Sequence, residues 1–245
     1  MSKKIALITG ANKGIGLETA RQLGKEGVHI IAASRNKEKG IKAVEQLHKE
    51  GIDAEFLQLD VDNDQDIQFA YEYINNKYGK LDILVNNAGI QVESENWGVN
   101  NAAVIPEKVL KQTLDTNFFH VVKLTNTLLP LIRKSEAGRI VNLSSILGSL
   151  GLHADATSPI YSSKLFAYDT SKTALNSYTI HLAAALADTN IKVNSAHPGW
   201  VKTDMGTDSA PMEIADGAKT SVALSLLDAN GPNGKYIHLG NELPW

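Results

Sequence analysis

The 245-residue chain lacks several features that define other protein classes. It has no cysteine, which excludes disulfides, thiolate catalysis and cysteine-ligated metals and fits a reducing compartment. No stretch approaches the ~18 apolar residues of a membrane span, and the apolar run in the start MSKKIALITG is too short for a signal-peptide core. We therefore expect a cytoplasmic protein without a membrane-spanning segment.

An excess of positive charge is also missing. The 24 Lys and Arg residues are outnumbered by 27 Asp and Glu residues, and the formal net charge is −3. This balance does not favour binding to a phosphate backbone, so we expect no nucleic-acid partner. The 7 histidines show no close ligand spacing, so we expect no metal site either.

The chain alternates between two kinds of segment and contains no linker, internal repeat or low-complexity stretch, which favours one domain over residues 1–245. Short β-branched or apolar runs are typical of strands and occur at 5–9, 28–33, 54–59, 81–85, 139–144, 191–196 and 235–239. Longer stretches with apolar residues three and four apart are typical of helices and occur at 17–26, 37–50, 64–78, 106–134, 168–187 and 213–227.

This alternation predicts an α/β fold. Parallel strands need crossover connections, which the helical stretches would supply. We therefore predict a doubly wound sheet of seven mainly parallel strands flanked by helices. The irregular segments 88–105, 146–165 and 197–212 each follow a strand, so they should lie at the carboxyl edge, where such sheets bind ligands.

A glycine-rich loop, TGANKGIGLET, follows the first strand. Gly10, Gly14 and Gly16 occur where strand turns into helix, a Rossmann-type arrangement in which the backbone approaches a pyrophosphate and the helix N-terminus faces its charge. Asn12 and Ile15 belong to the same expected contact loop. Ile15 stands where a nucleoside-triphosphate loop needs lysine, which excludes that motif. The alternative is a tight turn without a ligand.

The second strand ends in Ser34 and Arg35, where an NAD-preferring site would carry an acidic residue. Arg35, together with Lys13 of the glycine loop, could bind a 2′-phosphate through charge-assisted hydrogen bonds worth roughly 1.5–3 kcal/mol each. We therefore expect NADPH/NADP⁺ as the cofactor, favoured by about two to four decades. The alternative is that both side chains are solvated surface cations.

Further cofactor contacts are expected after the third and fourth strands. Asp60, followed by Val61, could accept a hydrogen bond from the adenine amino group. Asp60 could equally belong to a helix N-cap cluster with Asp62 and Asp64. Close backbone approach is offered by the residues of NNAG: Asn87, Ala88 and Gly89.

Tyr168 and Lys172 are four residues apart on a predicted helix and so share one face, where the ammonium would bias the phenol toward ionisation. The same spacing recurs in Tyr73 and Lys77, which we interpret as an exposed helix face. The spacing alone is therefore weak evidence for a functional pair.

The first pair differs from the second in its neighbourhood. The strand before it, RIVNLSSILG, ends in Ser144 and Ser145, and a hydroxyl at that sheet edge could hold a carbonyl oxygen. Strand alternation places the two serines on opposite faces without deciding which one faces the site. Tyr168 could act as an acid or base near neutral pH only if positive charge lowers its pKa from about 10.

These motifs, in this order, resemble the short-chain dehydrogenases/reductases over essentially the whole chain. The resemblance rests on TGANKGIG, NNAG, Asn117 in DTNFF, Ser145, the Tyr168–Lys172 pair and HPGWVKTDM. It implies that Tyr168 donates a proton, that Ser145 rather than Ser144 orients a carbonyl, and that Lys172 binds the nicotinamide ribose and lowers the pKa of Tyr168. It implies that Asn117 anchors a water-linked proton relay, the alternative being an amide that only kinks its helix. Residues implied to line the nicotinamide carboxamide are Pro198, Gly199, Val201 and Thr203.

Within the family, NKGIG, PGWVKTDM and the ending GPNGKYIHLGNELPW are most similar to the carbonyl reductase branch, which implies NADPH-dependent reduction of a small ketone or aldehyde. The chain departs from the common pattern by a longer segment between Ser145 and Tyr168 and a short loop after Thr203. The inserted residues 148–165 are compatible with a monomer, and a homo-oligomer stays open. Side chains on the irregular segments that could wall a substrate pocket are Trp97, His153, Tyr161 and Trp200.

Three other functions stay open. One is another enzyme of the same fold, such as an NAD(P)-dependent alcohol dehydrogenase acting mainly in the oxidative direction, a dehydratase or an epimerase, although Arg35 argues against NAD. Another is a regulator that senses NADPH without turnover, against which the complete set of Ser145, Tyr168, Lys172 and Asn117 argues. A purely structural α/β domain would require all these motifs to be coincidental.

Overall fold

The computed structural model describes residues 3–93 and 101–245. Its strands are β1 (Ile5–Thr9), β2 (His29–Ser34), β3 (Ala54–Gln58), β4 (Ile83–Asn86), β5 (Arg139–Leu143), β6 (Lys192–Ala196), β7 (Tyr236–His238) and β8 (Asn241–Glu242). Its helices are α1 (Gly14–Lys25), α2 (Lys37–Lys49), α3 (Asp64–Tyr78), α4 (Glu107–Leu114), α5 (His120–Ile132), α6 (Leu150–Ala154), α7 (Phe166–Ala185) and α8 (Ile214–Ser225). A π-helical turn, Asp115–Phe119, joins α4 to α5, and a 3₁₀ turn, Ile146–Gly148, precedes α6.

The strands form one sheet in the order β3-β2-β1-β4-β5-β6-β7-β8. All neighbours run parallel except β7 and β8, which pair antiparallel. The order reverses between β1 and β4, so a crevice opens at the carboxyl ends of these two strands. The loops that carry the sequence motifs therefore meet at one edge.

Helices cover both faces of the sheet because successive side chains of each strand point to opposite sides. On β1, Ile5 and Leu7 belong to an apolar cluster with residues of α3, α5 and α7. Ala6 and Ile8 belong to a second cluster with residues of α1, α2 and α8. This two-sided burial confirms the predicted doubly wound α/β architecture.

The seven predicted strands are all present, and three details differ from the sequence-based prediction. The sheet gains β8, whose two residues are too few to show a periodic pattern. The predicted helix 106–134 is divided by the π-helical turn. The segment 146–165 was predicted to be irregular, but it contains the 3₁₀ turn and α6, because Ser145 and Ser149 each accept a backbone N–H and start a short helical turn.

Helix starts at the carboxyl edge are satisfied in different ways. Asn63 caps α3, since its Oδ1 accepts from the backbone N–H groups of Gln65 at 2.8 Å and Asp66 at 3.4 Å. The residues before α1 and α7, Lys13 and Leu165, make no such side-chain bond. The first turn of α1 also contains no acidic residue. Its N-terminal N–H groups are therefore suited to an anion.

Candidate active site

A cleft of about 1090 Å³ runs along the carboxyl edge of the sheet. The residues predicted from the sequence that line it are Gly10, Asn12, Lys13, Gly14, Ile15, Gly16, Arg35, Asp60, Val61, Asn87, Ala88, Gly89 and Thr203. They come from the loops after β1, β2, β3, β4 and β6. The fold thus brings widely separated motifs to one surface, as expected for a switch-point crevice.

The glycine loop is held closely against the loop after β4. A Cβ on Gly16 would lie 2.4 Å from Nδ2 of Asn87 and 2.6 Å from the carbonyl oxygen of Gly10, so no larger residue fits there. A Cβ on Gly14 would meet only Thr203, at 3.6 Å, because Gly14 borders the cleft. Gly10 and Gly16 therefore allow close packing between the two loops, whereas Gly14 keeps the cleft open.

Thr9 is a structural residue of this region that the sequence analysis missed. Its hydroxyl accepts hydrogen bonds from the backbone N–H groups of Asn87 at 3.0 Å and Ala88 at 2.9 Å. The Nδ2 of Asn87 donates in turn to the Thr9 carbonyl at 2.7 Å. A threonine at a strand end has no distinctive pattern, so only the pairing of β1 with β4 reveals this role.

Positive side chains gather at the end of the cleft beside β2. Arg35 is exposed, and within the described residues its side chain makes no hydrogen bond or ion pair. Lys13 forms an ion pair with Asp204 of the opposite loop. Lys39, which the sequence analysis did not select, also lines the cleft, because α2 begins at once and places it one turn beyond Arg35. The spacing from Arg35 to Lys39 is the signal that could have indicated it.

The aspartates after β3 have separate tasks. The N-cap of α3 is Asn63, so the alternative of a capping aspartate cluster is not what the structure contains. Asp60 lines the cleft, and its Oδ1 accepts from the N–H of Asp62 at 3.2 Å. The Asp62 carboxylate accepts a hydrogen bond from the Thr116 hydroxyl at 2.9 Å and lies 2.8 Å from Nδ1 of His120. Asp62 also lines the cleft, but its carboxylate is taken up by Thr116 and His120, so Asp60 has the carboxylate that is better placed to meet a ligand.

Ser145, Tyr168 and Lys172 meet beside Leu143, a residue of the cleft, but none of the three belongs to the cleft lining itself. Tyr168 and Lys172 are only 9% and 5% exposed. The Ser145 hydroxyl lies within hydrogen-bonding reach of the Tyr168 hydroxyl. The Lys172 ammonium lies 5.5 Å from the Tyr168 ring centre and donates to the carbonyl of Leu143, a cleft residue, at 2.7 Å. Helix α7 presents both side chains on one face, and Ser145 follows β5 two residues after the strand ends.

Burial governs the charge states of this group. It raises the pKa of Tyr168 to about 12, although the hydrogen bond from Ser145 acts in the opposite direction. Burial also lowers the pKa of Lys172 to about 8. Loss of solvation is the largest influence on the pKa of Tyr168, and the Asp169 carboxylate acts in the same direction. Tyr168 is therefore a neutral phenol at physiological pH. That Lys172 lowers this pKa stays a prediction.

The two serines at the end of β5 face different neighbours. Ser145 lies beside Tyr168, whereas the buried Ser144 lies beside the hydroxyl of Tyr236 on β7. His197, another residue that the sequence analysis did not select, accepts at Nδ1 from the N–H of Ile146 at 3.1 Å. Burial lowers the pKa of His197 to about 3, so this acceptor stays neutral and holds the loop that carries Ser145.

Asn117 lies in the π-helical turn and bridges two elements. Its Oδ1 accepts from the N–H of Ile90 and its Nδ2 donates to the carbonyl of Ile90, both at 2.8 Å. Nδ2 also donates to the Ser171 hydroxyl at 3.1 Å. The amide therefore does more than distort its helix, since it ties the loop after β4 to α7.

The second tyrosine–lysine pair lies elsewhere, on the outer face of α3. Lys77 donates to the Tyr73 hydroxyl at 3.0 Å and pairs with Glu55 in an exposed position. Lys77 is exposed as predicted, whereas Tyr73 is half-buried and packs against the apolar cluster of α3, so only part of this pair forms an exposed helix face.

The proposed pocket wall is only partly assembled in the described residues. Trp97 lies outside them. His153 is occupied by the Leu147 carbonyl at 2.9 Å and by Asp169 at 3.3 Å. Predicted residues that the structure places outside the cleft lining are His153, Tyr161, Pro198, Gly199, Trp200 and Val201, together with Asn117, Ser145, Tyr168 and Lys172. Val201 is instead buried against Gly217, and the neighbouring Trp200 is 56% exposed. The loop after β6 lines the cleft again at Thr203.

The part of the chain that the structure describes contains no helix that is long and apolar enough to cross a membrane. It also contains no group of three or more His, Cys, Asp or Glu side chains placed to hold a metal ion.

Comparisons with known proteins agree with this geometry. The family model described as short chain dehydrogenase matches residues 4–214. Short-chain dehydrogenase/reductase 1 of Saponaria officinalis is 34% identical, over 99% of this chain and 96% of its own length. Carbonyl reductase [NADPH] 1 of Mus musculus is 32% identical, over 100% and 99%. The solved structure of carbonyl reductase Sniffer of D. melanogaster superposes with a TM-score of 0.84 at 30% identity, covering 100% of both chains.

The ordered motifs, the doubly wound sheet with its edge cleft and the family match over most of the chain lead to one assignment. The chain belongs to the short-chain dehydrogenase/reductase family and is an oxidoreductase of the kind that uses NAD(P)H and acts on small molecules.

Proposed function

We propose that this enzyme reduces a ketone or aldehyde to an alcohol with NADPH. The observation that carries the proposal is the buried, neutral Tyr168 phenol within hydrogen-bonding reach of the Ser145 hydroxyl. A phenol that keeps its proton at physiological pH has a proton to give to a carbonyl oxygen, and positive charge from Lys172 and the cofactor would lower its pKa for that transfer. Oxidation of an alcohol would need the same group as phenolate, which burial disfavours.

The cleft suits a dinucleotide with an extra phosphate. The start of α1 is free of capping side chains and acidic residues, and the open side of Gly14 leaves space for a pyrophosphate beside it. Arg35, Lys13 and Lys39 can bind the 2′-phosphate of NADPH at the adenosine end. When bound, the dihydronicotinamide would supply the hydride. NADPH is also the cofactor named for the carbonyl reductase relative from Mus musculus.

The chain's own residues would divide the remaining work. Ser145 would hold the substrate oxygen by a hydrogen bond, and Tyr168 would release its proton to that oxygen. Lys172 would bind the nicotinamide ribose and balance the charge left on Tyr168. Asn117 would keep the loop after β4 and α7 together and anchor the water that reloads the proton. Backbone contacts to the carboxamide are proposed for Pro198, Gly199 and Val201, with the hydroxyl of Thr203.

The carbonyl substrate would enter between the irregular segments after β4, β5 and β6. We retain Trp97, His153, Tyr161 and Trp200 as proposed pocket residues, with residues 1–245 acting as a single NADP(H)-binding domain.

The test of this function is NADPH oxidation measured at about 340 nm with a panel of ketones, aldehydes, quinones and α-keto esters. We expect turnover with at least one member, and a higher kcat/KM with NADPH than with NADH. A protein that binds NADPH but turns over no carbonyl would contradict the proposal and favour a sensing role. A protein that oxidises alcohols faster than it reduces carbonyls at neutral pH would contradict its direction.

The two directions should depend on pH in opposite ways. Reduction needs protonated Tyr168, whose pKa of about 12 keeps the donor available, and charged Lys172, whose pKa is about 8. We expect kcat/KM for reduction to be constant below about pH 7 and to fall as pH rises through about 8. Alcohol oxidation needs the Tyr168 phenolate, whose fraction grows with pH, so its rate should rise up to about pH 8 and level off where Lys172 loses its charge.

Initial rates in both directions across the pH range would measure this. The matched variant is Lys172→Met, in which the inflection near pH 8 should disappear together with most of the activity. The same inflection persisting in Lys172→Met would show that another group titrates.

A further inference from the structure

The start of α7 is completed by a side chain from a distant part of the sequence. Glu93, seven residues after the end of β4, is 5% exposed. Its Oε1 accepts from the backbone N–H of Ala167 at 2.9 Å, and its Oε2 accepts from the N–H of Tyr168 at 2.8 Å. These are the second and third residues of α7, whose N–H groups an N-cap side chain normally binds. The preceding residue, Leu165, has no side chain able to accept them.

We propose that Glu93 is the positioning residue for Tyr168 and sets the place of the phenol relative to Ser145 and the cofactor cleft. This inference rests on the proposed function, because it assigns Glu93 a part in the proton transfer from Tyr168. Within the described residues, the Glu93 carboxylate accepts hydrogen bonds from the backbone of the helix start and also raises the pKa of the nearby Asp169 carboxyl, so it acts on Tyr168 through the position of α7.

Both backbone polar groups of Tyr168 are hydrogen-bonded by side chains. Its N–H is bound by Glu93, and its carbonyl accepts from the Ser171 hydroxyl at 2.7 Å. Ser171 accepts in turn from Asn117, which also clamps Ile90. The segment between Ile90 and Glu93 includes Gln91 and Val92, which line the cleft. The position of Tyr168 is thereby tied to the cleft wall twice, once through Glu93 and once through Ser171 and Asn117.

Lys172 is held independently of Glu93. Its ammonium is bound by the Leu143 carbonyl on β5, one helical turn beyond the bonds that Glu93 accepts. The first turn of a helix frays when its N–H groups lack acceptors, whereas the second turn keeps its internal bonds. Loss of Glu93 should therefore displace Tyr168 while leaving Lys172 and the cofactor cleft in place. A shift of about 1 Å in a reacting group can lower a rate by about 10²-fold.

The experiment compares Glu93→Ala and Glu93→Gln with the wild-type protein. We expect kcat for carbonyl reduction to fall about 10- to 100-fold in Glu93→Ala, with the NADPH dissociation constant and the substrate KM within about threefold of wild type. Glu93→Gln should recover part of kcat, because its single amide oxygen still accepts one of the two N–H groups. Amide hydrogen exchange of Ala167 and Tyr168, measured without substrate, should be faster in Glu93→Ala than in wild type.

Asn63→Ala is the matched control. Asn63 accepts from the second and third residues of α3 in the same way, but it does not line the cleft. Its removal should destabilise the protein by thermal unfolding without changing kcat. An equal loss of kcat in Asn63→Ala would show a general stability effect and overturn the proposal.

The remaining outcomes separate the two proposals. If the wild-type protein reduces carbonyls and Glu93→Ala does so with unchanged kcat, the positioning role is wrong. Unchanged exchange at Tyr168 in Glu93→Ala would also overturn it. A wild-type protein without carbonyl turnover overturns the proposed function itself, and that result is visible before any variant is made.

Discussion

Tyr168→Phe should lower kcat for carbonyl reduction by about two to four orders of magnitude, the range that a positioned proton donor contributes. Phenylalanine keeps the ring that fills this buried position and removes only the hydroxyl within reach of Ser145. The NADPH dissociation constant and the unfolding temperature should therefore change little. Steady-state kinetics with a responsive carbonyl, combined with fluorescence titration of NADPH, would measure both quantities.

Tyr73→Phe supplies the control for this change. Tyr73 has the same four-residue relation to a lysine, and the same hydroxyl is removed, but on the outer face of α3. Its kcat should match that of the wild-type protein. A Tyr168→Phe variant that retains wild-type kcat would overturn the proposed mechanism, and a fall in both variants would point to a stability effect.

The double variant Lys13→Ala with Arg35→Ala should reduce the preference for NADPH over NADH by about two to four orders of magnitude, because two charge-assisted hydrogen bonds to the 2′-phosphate are lost at once. The loss should fall mainly on kcat/KM for NADPH and leave NADH nearly unaffected. Arg35→Ala alone should have the larger single effect, since Lys13 already interacts with Asp204. Measuring kcat/KM for both cofactors in each variant would test this.

Lys37→Ala is a suitable control for the charge change. Lys37 is an exposed cation at the start of α2 and does not line the cleft, so its removal should alter the two cofactors equally and slightly. Equal losses with NADPH and NADH in the double variant would contradict the assignment of the cation cluster to the 2′-phosphate. Lys39→Ala would then show whether the residue missed from the sequence carries the preference.

Local patterns were sufficient to predict most of the fold. Strand and helix periodicity depends on which face of each element is buried, and all seven predicted strands are present. The glycine loop, Arg35 and the residues of NNAG line the cleft as expected, because each directly follows a strand and must lie at the same sheet edge. The two-residue β8 and the division of the helix at Asp115–Phe119 escaped prediction, since neither alters a hydrophobic period.

The site was harder to predict wherever a contact joins distant residues. Thr9 and Glu93 act on backbone groups roughly 75 to 80 positions away, and no local spacing records such a partner. The pocket residues that were predicted from their position alone agree least with the cleft of the structure. His153 is held by Leu147 and Asp169, and Trp200 is exposed. Loop side chains follow tertiary contacts that periodicity does not encode.

The sequence by itself therefore determined the family, the sheet and the motifs that meet at its edge, because these depend on residue types at fixed distances along the chain. Only the tertiary structure decided the direction in which the surroundings of Tyr168 shift its pKa, which burial raises to about 12. The reason is that burial removes water from the phenol, and burial is a property of the whole fold. The same fold supplies Glu93 to a helix start whose own sequence contains no cap.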